Sequence, residues 1–191
     1  MSDHEDPTEL WVIRHGETEW SRDGRHTSHT EVELTPEGEQ VARRLEQRLE
    51  GVDFDLVLTS PRVRARRTAE LAGFPDAETD DDLTEWDYGD YEGVTTPEIR
   101  ETVPGWTVWS HPCPGGEEAA QVTERMDRLV ARVREHGGRV LVFSHGHASR
   151  ALAARWLDQP VDEGRLFSLD TATISVLGYE HGSPVVARWN S

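Results

Sequence analysis

Short apolar runs, each bounded by polar or turn-forming residues, are the clearest pattern along this chain. Three of them are rich in Leu, Val, Ile and Phe, which is typical of strands buried on both faces of a parallel sheet. They cover residues 10–13, 54–58 and 139–143. Two further apolar runs, residues 173–179 and 185–189, flank a Gly-Ser pair near the end of the chain and predict two closing strands joined by a turn.

Helical patterns lie between these runs. Thr35-Pro36 and Ser60-Pro61 each combine an N-cap residue with proline at the first helical position, so we predict that helices begin there. Strands that alternate with helices predict an α/β fold, a three-layer α/β/α sandwich with a mostly parallel central sheet. We expect one domain over residues 1–191, with residues 1–8 as a flexible tail. The predicted helices cover residues 36–50, 61–72, 97–102 and 148–157. A further amphipathic helix contains Val122, Met126, Leu129, Val130 and Val133 and is closed by Gly137-Gly138.

Composition narrows the possible partners. The 20 basic and 37 acidic residues give a formal net charge of −17, which argues against nucleic acid as a partner. A local group of arginines must therefore attract any anionic ligand. The single cysteine, Cys113, excludes an intrachain disulfide and a Cys-rich zinc site. No apolar run is long enough to span a membrane, and the acidic N-terminus does not resemble a secretory signal, so we expect a cytoplasmic protein with no membrane partner.

Chemically suggestive residues follow three of the predicted strands. The carboxyl ends of parallel strands share one edge of a sheet, where α/β proteins bind their ligands. Arginines there can hold phosphate oxygens, a neutral imidazole can attack phosphorus, and a carboxylic acid can protonate the leaving oxygen. The pattern therefore indicates phosphoryl transfer. The residues are Arg14, His15 and Gly16 after the first strand, Ser60 to Arg64 after the second, and His145 and Gly146 after the third.

These segments, in this order, resemble the signature of the histidine phosphatase superfamily, also called the phosphoglycerate mutase-like family. The matching blocks are residues 14–18, 60–70, 83–85 and 144–146. The resemblance implies that His15 is the phosphorylated histidine, Glu85 the proton donor and His145 the second catalytic histidine. It also implies that Arg64 binds phosphate. We expect Arg14, His145 and backbone amides near Gly146 to bind the phosphate as well.

The loop that follows the first block carries further candidate residues. Many family members have an Asn that touches phosphate where this chain has Ser21, whose hydroxyl reaches less far. We expect Ser21, His26 and Thr27 to line the pocket. The segments around residues 85–93 and 113–117 resemble a subgroup of acid and sugar-phosphate phosphatases.

The resemblance predicts an enzyme that hydrolyses small phosphate monoesters, sugar phosphates among them, through a phosphohistidine intermediate. It implies no metal and no other cofactor, and a small phosphorylated metabolite as the partner. His147 beside His145 leaves a metal-dependent hydrolase as one alternative. A phosphoglycerate mutase-type phosphotransferase and a non-catalytic protein that binds a phosphorylated ligand are two others. The sequence leaves open whether the protein is a monomer or a homodimer.

Overall fold

A six-stranded sheet forms the middle layer of the computed structural model, which describes residues 8–191. The strand order is β3-β2-β4-β1-β5-β6, with β1 to β4 mutually parallel and β5 and β6 antiparallel to their neighbours. The predicted α/β fold with a mostly parallel sheet is confirmed. The strands are β1 Glu9–Arg14, β2 Leu56–Thr59, β3 Glu78–Thr79, β4 Arg139–Ser144, β5 Ile174–Glu180 and β6 Ser183–Arg188.

Helices cover both faces of this sheet. They are α1 Glu19–Arg22, α2 Pro36–Leu49, α3 Val63–Leu71, α4 Thr96–Thr102, α5 Ala119–His136 and α6 Gly146–Trp156. Residues of β1 alternate between two apolar clusters: Leu10 and Val12 belong to one, Trp11 and Ile13 to the other. The first cluster also contains side chains of α5 and α6, and the second contains side chains of α2 and α3. Burial on both faces explains the near-continuous apolar character of this strand.

The element boundaries differ from the predicted ones where side chains have other partners. Helix α3 begins at Val63 and not at Pro61, and Arg62 is its N-cap without a side-chain capping bond. The hydroxyl of Ser60, predicted as the cap, instead lies 2.8 Å from His145 Nε2. Helix α6 begins two residues earlier than predicted, at Gly146. Short elements were not predicted: α1, β3 and the 3-10 turns Asp81–Leu83, Gly89–Tyr91 and Val161–Leu166.

The order β2-β4-β1 brings three strand ends to one edge of the sheet. The amide of His15 donates to the Ser144 carbonyl at 2.9 Å, and the amide of Ser60 donates to the Phe143 carbonyl at 2.9 Å. The residues that follow β1, β2 and β4 are therefore neighbours.

Residues 1–7 of the predicted tail lie outside the described residues, and Thr8, its last residue, is buried. Within residues 8–191, no helix is both long and apolar enough to cross a membrane.

Candidate active site

A cavity of about 220 Å³ lies at this edge of the sheet. All of the predicted site residues line it except Arg64 and His145, which are fully buried behind its wall. The structure thus brings residues from the N-terminal strand, the loop after α1, the segment before Trp86 and the start of α6 to one place. The lining is Arg14, His15, Ser21, Gly24, Arg25, His26, Thr27, Glu85, Tyr88, Thr96, Gly146, His147, Arg150 and Leu169.

One ring nitrogen of His15 has a hydrogen-bond partner among residues 8–191, and the other has none there. Its Nδ1 lies 2.7 Å from the Gly16 carbonyl oxygen. Because a carbonyl only accepts, Nδ1 carries the proton and Nε2 keeps its lone pair. Burial, followed by the nearby Arg64 and Arg14, lowers the pKa of His15 well below its usual value. The imidazole is therefore held neutral, which is the form that can act as a nucleophile.

Arg14 supplies a buried cation with unused donor capacity. Its Nη1 donates to the Leu169 carbonyl at 2.6 Å. Its Nε is buried and has no hydrogen-bond partner within the part of the chain that the structure describes. Buried polar groups are nearly always paired, so an unpaired guanidinium nitrogen at a cavity wall points to an anion as the missing partner.

Arg64 holds a loop in place rather than facing the cavity. Its Nη1 donates to the Thr30 carbonyl at 3.0 Å. Its Nη2 donates to the carbonyls of Thr27 and Ser28 at 3.1 and 2.9 Å. These contacts position the segment that contributes His26 and Thr27 to the cavity. Most of the Arg64 donors are therefore bound to protein, and its contact with phosphate stays a prediction.

The remaining donor of Arg64 determines the tautomer of His145. Arg64 Nε lies 3.2 Å from His145 Nδ1. A guanidinium can only donate, so Nδ1 is an acceptor and the Nε2 proton is donated to Ser60 Oγ at 2.8 Å. Burial and the charge of Arg64 lower the pKa of His145 well below its usual value. The rings of His15 and His145 meet edge to face with centroids 5.2 Å apart.

The carboxylate of Glu85 is held by backbone amides. Oε1 accepts from Trp86 and Ala148 at 2.9 and 2.7 Å, and Oε2 accepts from His147 at 3.1 Å. Two of these amides belong to the first turn of α6, where helix donors have no partner within the helix. A Cβ added at Gly146 would lie 3.7 Å from Glu85 Oε2 and 3.5 Å from Arg14 Cζ. The acid and the cation therefore flank the same point.

The three predicted loop residues line the cavity, and each has at least one side-chain polar atom bound to the backbone. Ser21 Oγ donates to the Thr18 carbonyl at 3.1 Å and accepts from the Thr18 amide, which completes the cap of α1. Thr27 Oγ1 donates to the Arg25 carbonyl at 3.0 Å. His26 Nδ1 lies 2.7 Å from the Val94 carbonyl oxygen, which leaves Nε2 as an acceptor. A phosphate contact from Ser21 would require its hydroxyl to leave Thr18.

Sequence reasoning did not predict several lining residues, among them Tyr88 and Arg150. His147, which the sequence suggested only as a metal ligand, lines the cavity with Nδ1 2.6 Å from the Tyr88 hydroxyl. The spacing of His147 and Arg150 on a helix places them on one face, a signal that was available in the sequence. In residues 8–191, no group of three or more His, Cys, Asp or Glu side chains is arranged to hold a metal ion.

The fold and the cavity define an α/β protein whose paired histidines and buried arginines lie at or behind a cavity at the strand ends. Comparison with known families agrees, because the sequence model of the histidine phosphatase superfamily (branch 1) matches residues 10–191. The chain belongs to this superfamily, and it is a phosphoric monoester hydrolase of the histidine phosphatase type.

Individual relatives match most of the chain in sequence or in structure. An acid phosphatase of Mycobacterium tuberculosis is 50% identical over 177 residues, which cover 91% of this chain and 87% of that protein. Sedoheptulose 1,7-bisphosphatase of Saccharomyces cerevisiae is 39% identical over 178 residues, covering 76% of this chain and 66% of that enzyme. The solved structure of a mycobacterial glucosyl-3-phosphoglycerate phosphatase in complex with vanadate superposes with a TM-score of 0.85 at 26% identity, covering 96% of this chain and 99% of that chain.

Proposed function

We propose that this protein hydrolyses small phosphate monoesters, sugar phosphates among them, through a phosphohistidine formed on His15. One observation carries the proposal: His15 Nε2 and Arg14 Nε belong to residues that line the same cavity, and neither atom has a hydrogen-bond partner among residues 8–191. Two of the relatives support this proposal, because one is an acid phosphatase and the other is a sugar bisphosphatase. The substrate class is thus a small phosphorylated metabolite.

In the first chemical step, the phosphoryl group lies against Arg14 and the backbone at Gly146. The lone pair of His15 Nε2 attacks phosphorus as the bond between phosphorus and the ester oxygen breaks. Glu85 gives the departing oxygen its proton, so that an alcohol leaves. Oε2 is the better placed oxygen, because it accepts one amide and Oε1 accepts two.

The second step returns the enzyme to its starting state. Glu85, now a carboxylate, takes a proton from water, whose oxygen attacks phosphorus. The bond between phosphorus and His15 Nε2 breaks, and inorganic phosphate leaves. Arg14 offsets the negative charge of the transferring group in both steps.

We assign Arg64 and His145 to the support of this chemistry. Both are buried behind the cavity and add positive charge and fixed dipoles close to His15. In the same proposal, residues 1–191 form one domain and the reaction needs no metal or other cofactor. The cytoplasmic location stays a prediction from the sequence, and the choice between monomer and homodimer stays open.

Acid-quench trapping with a labelled phosphate ester tests the proposal. We expect label on wild-type protein and none on His15→Ala, with phosphate release abolished in the variant. The half-buried His111, which does not line the cavity, provides the matched control, His111→Ala, which should behave as the wild type. Unchanged turnover in His15→Ala would overturn the mechanism.

The same assay separates the alternatives. Binding of the ester without any labelled intermediate or phosphate release would indicate the non-catalytic protein. An isomerised phosphoglycerate as the main product would indicate the mutase. Loss of phosphate release after treatment with EDTA would indicate the metal-dependent hydrolase.

A further inference from the structure

The outer part of the cavity carries positive charge that the proposed phosphoryl site does not use. Arg25 and Arg150 both line the cavity, and neither has a carboxylate within 4 Å among residues 8–191. Acidic residues outnumber basic ones by 37 to 20 in this chain. Arg155, on the same helix as Arg150, is bound to Asp127 at 2.6 Å. Arg25 and Arg150 therefore bring positive charge to the cavity that no carboxylate of the described residues pairs with.

The guanidinium of Arg150 is held in a fixed position. Its Nε donates to the Gly164 carbonyl at 3.1 Å, and its Cζ lies 4.9 Å from the centre of the Trp109 ring. Trp109 is itself packed against Gly164, where an added Cβ would come within 2.6 Å of the indole. Burial lowers the pKa of Arg150 in this setting. A stacked, partly desolvated guanidinium is well suited to bind an oxyanion.

His147 adds a neutral donor beside this cation. Burial raises the pKa of Tyr88 well above its usual value, so the phenol keeps its proton. His147 Nδ1 is the hydrogen-bond partner of this hydroxyl among the described residues, so the phenol donates to it at 2.6 Å. His147, whose pKa is lowered well below its usual value by burial, then carries its single proton on Nε2. That N–H has no protein acceptor within residues 8–191.

We propose that Arg150 and His147, with Arg25 at the mouth of the cavity, form a second anion subsite for a carboxylate or phosphate on the leaving group. The preferred substrates are then small phosphate esters that carry a second anionic group. This inference rests on the proposed function, because it describes the alcohol side of the same cavity. It also explains why the cavity is more basic than one phosphoryl group requires.

Binding to a catalytically silent protein tests the subsite without any need for turnover. In a His15→Ala background, calorimetry compares fructose 1,6-bisphosphate with fructose 6-phosphate, and 3-phosphoglycerate with glycerol 3-phosphate. We expect the doubly anionic member of each pair to bind about 10-fold to 100-fold more tightly, as a hydrogen bond between charged groups predicts. Adding Arg150→Gln should remove this preference. Adding Arg155→Gln, the control on the same helix, should retain it.

A second variant guards against misfolding of Arg150→Gln. Arg25 is exposed, so Arg25→Gln should fold normally and reduce the preference about threefold. Equal binding of the paired ligands to the His15→Ala protein, or a preference that survives Arg150→Gln, would overturn the subsite. Turnover of p-nitrophenyl phosphate by the otherwise unmodified enzyme is measured separately. Absence of this turnover would overturn the proposed function. The binding measurements alone test the subsite.

Discussion

Replacing Glu85 by Gln removes the proton that a departing alcohol needs and keeps almost the same shape. The Gln oxygen can still accept the amides of Trp86 and Ala148, as Oε1 does now. Its NH2 group, however, would face the amide of His147, which now donates to Oε2 at 3.1 Å. The substitution therefore tests chemistry and predicts a limited structural cost.

Both effects can be given a size. Two facing donors leave one buried N–H without an acceptor, which costs about 1–3 kcal/mol in folding free energy. A chain of this length loses roughly 2–4 °C in Tm for each kcal/mol. Loss of a general acid reduces the rate about 10²-fold to 10⁴-fold, or about 2.7–5.4 kcal/mol in activation free energy.

The assay compares esters with different leaving groups. An alkyl phosphate such as glycerol phosphate must release an alkoxide, which needs the proton, whereas p-nitrophenyl phosphate releases a stable phenolate. The measured quantity is kcat/KM, which covers the steps up to alcohol release and excludes hydrolysis of the phosphohistidine. We expect Glu85→Gln to lose the full factor on the alkyl ester and at most about tenfold on the aryl ester.

The control is Glu124→Gln, an exposed position on α5 where the same change should alter neither kcat/KM nor Tm. An equal loss on both esters would refute the assignment of Glu85 as the proton donor. It would point to a role for Glu85 in holding the first turn of α6.

Three further predictions concern stability and the anion site. Acid should destabilise the fold, because burial keeps the pKa of the site histidines low in the folded protein. Histidines in the unfolded chain bind protons below about pH 6.5. The free energy of unfolding in urea should therefore be constant above this pH and should fall below it by about 1.36 kcal/mol per pH unit for each histidine. A free energy of unfolding that does not change with pH would contradict this. Gly146→Ala should leave Tm nearly unchanged, because the added Cβ would lie at ordinary contact distances from its neighbours. The Cβ should weaken inhibition by vanadate, because it would occupy the proposed position of the phosphoryl group. Unaltered inhibition would argue against that position for the phosphoryl group. Gly89→Ala should cost about 2–4 kcal/mol in urea unfolding, because φ is +53° and the new Cβ would overlap the backbone at Pro114 and Gly116; a wild-type midpoint would show that this turn can shift.

The meeting of His15 and His145 could be predicted from the sequence because it follows from a general rule. Residues that follow parallel strands lie at one edge of the sheet, whatever the loops do. The apolar runs located those strands, so the positions after them could be identified without knowledge of side-chain contacts.

The contacts of Arg64 and Ser60 could not be predicted in the same way. They depend on where residues 27–30 run and on which hydroxyl lies opposite His145, and these are contacts between distant parts of the chain. Ser60 before Pro61 matched the local pattern of a helix start, but the tertiary contact determined its role. The sequence identified Arg64 as a site residue. It did not predict that the Arg64 donors are bound to the carbonyls of residues 27–30.

Ser21 is a different case, because a local signal was present and was not used. Thr18 and Ser21 have the spacing of a helix N-cap and its third helical residue, where the two can bind each other reciprocally. Recognising this would have predicted α1 inside the predicted loop. It would also have predicted that the Ser21 hydroxyl is bound to Thr18.

The position of β1 in the sheet has a consequence for how the protein is made. This strand comes near the start of the chain, yet its two neighbours are β4 and β5, so Leu10 pairs with Val140 on one side and Leu177 on the other. During synthesis, β1 cannot pair with β4 or β5 until these later strands have emerged from the ribosome. Such long-range pairing slows folding and leaves an apolar strand exposed in the nascent chain. The histidines at 15 and 145 therefore come together only late, and newly made protein should gain activity only when the central sheet has closed.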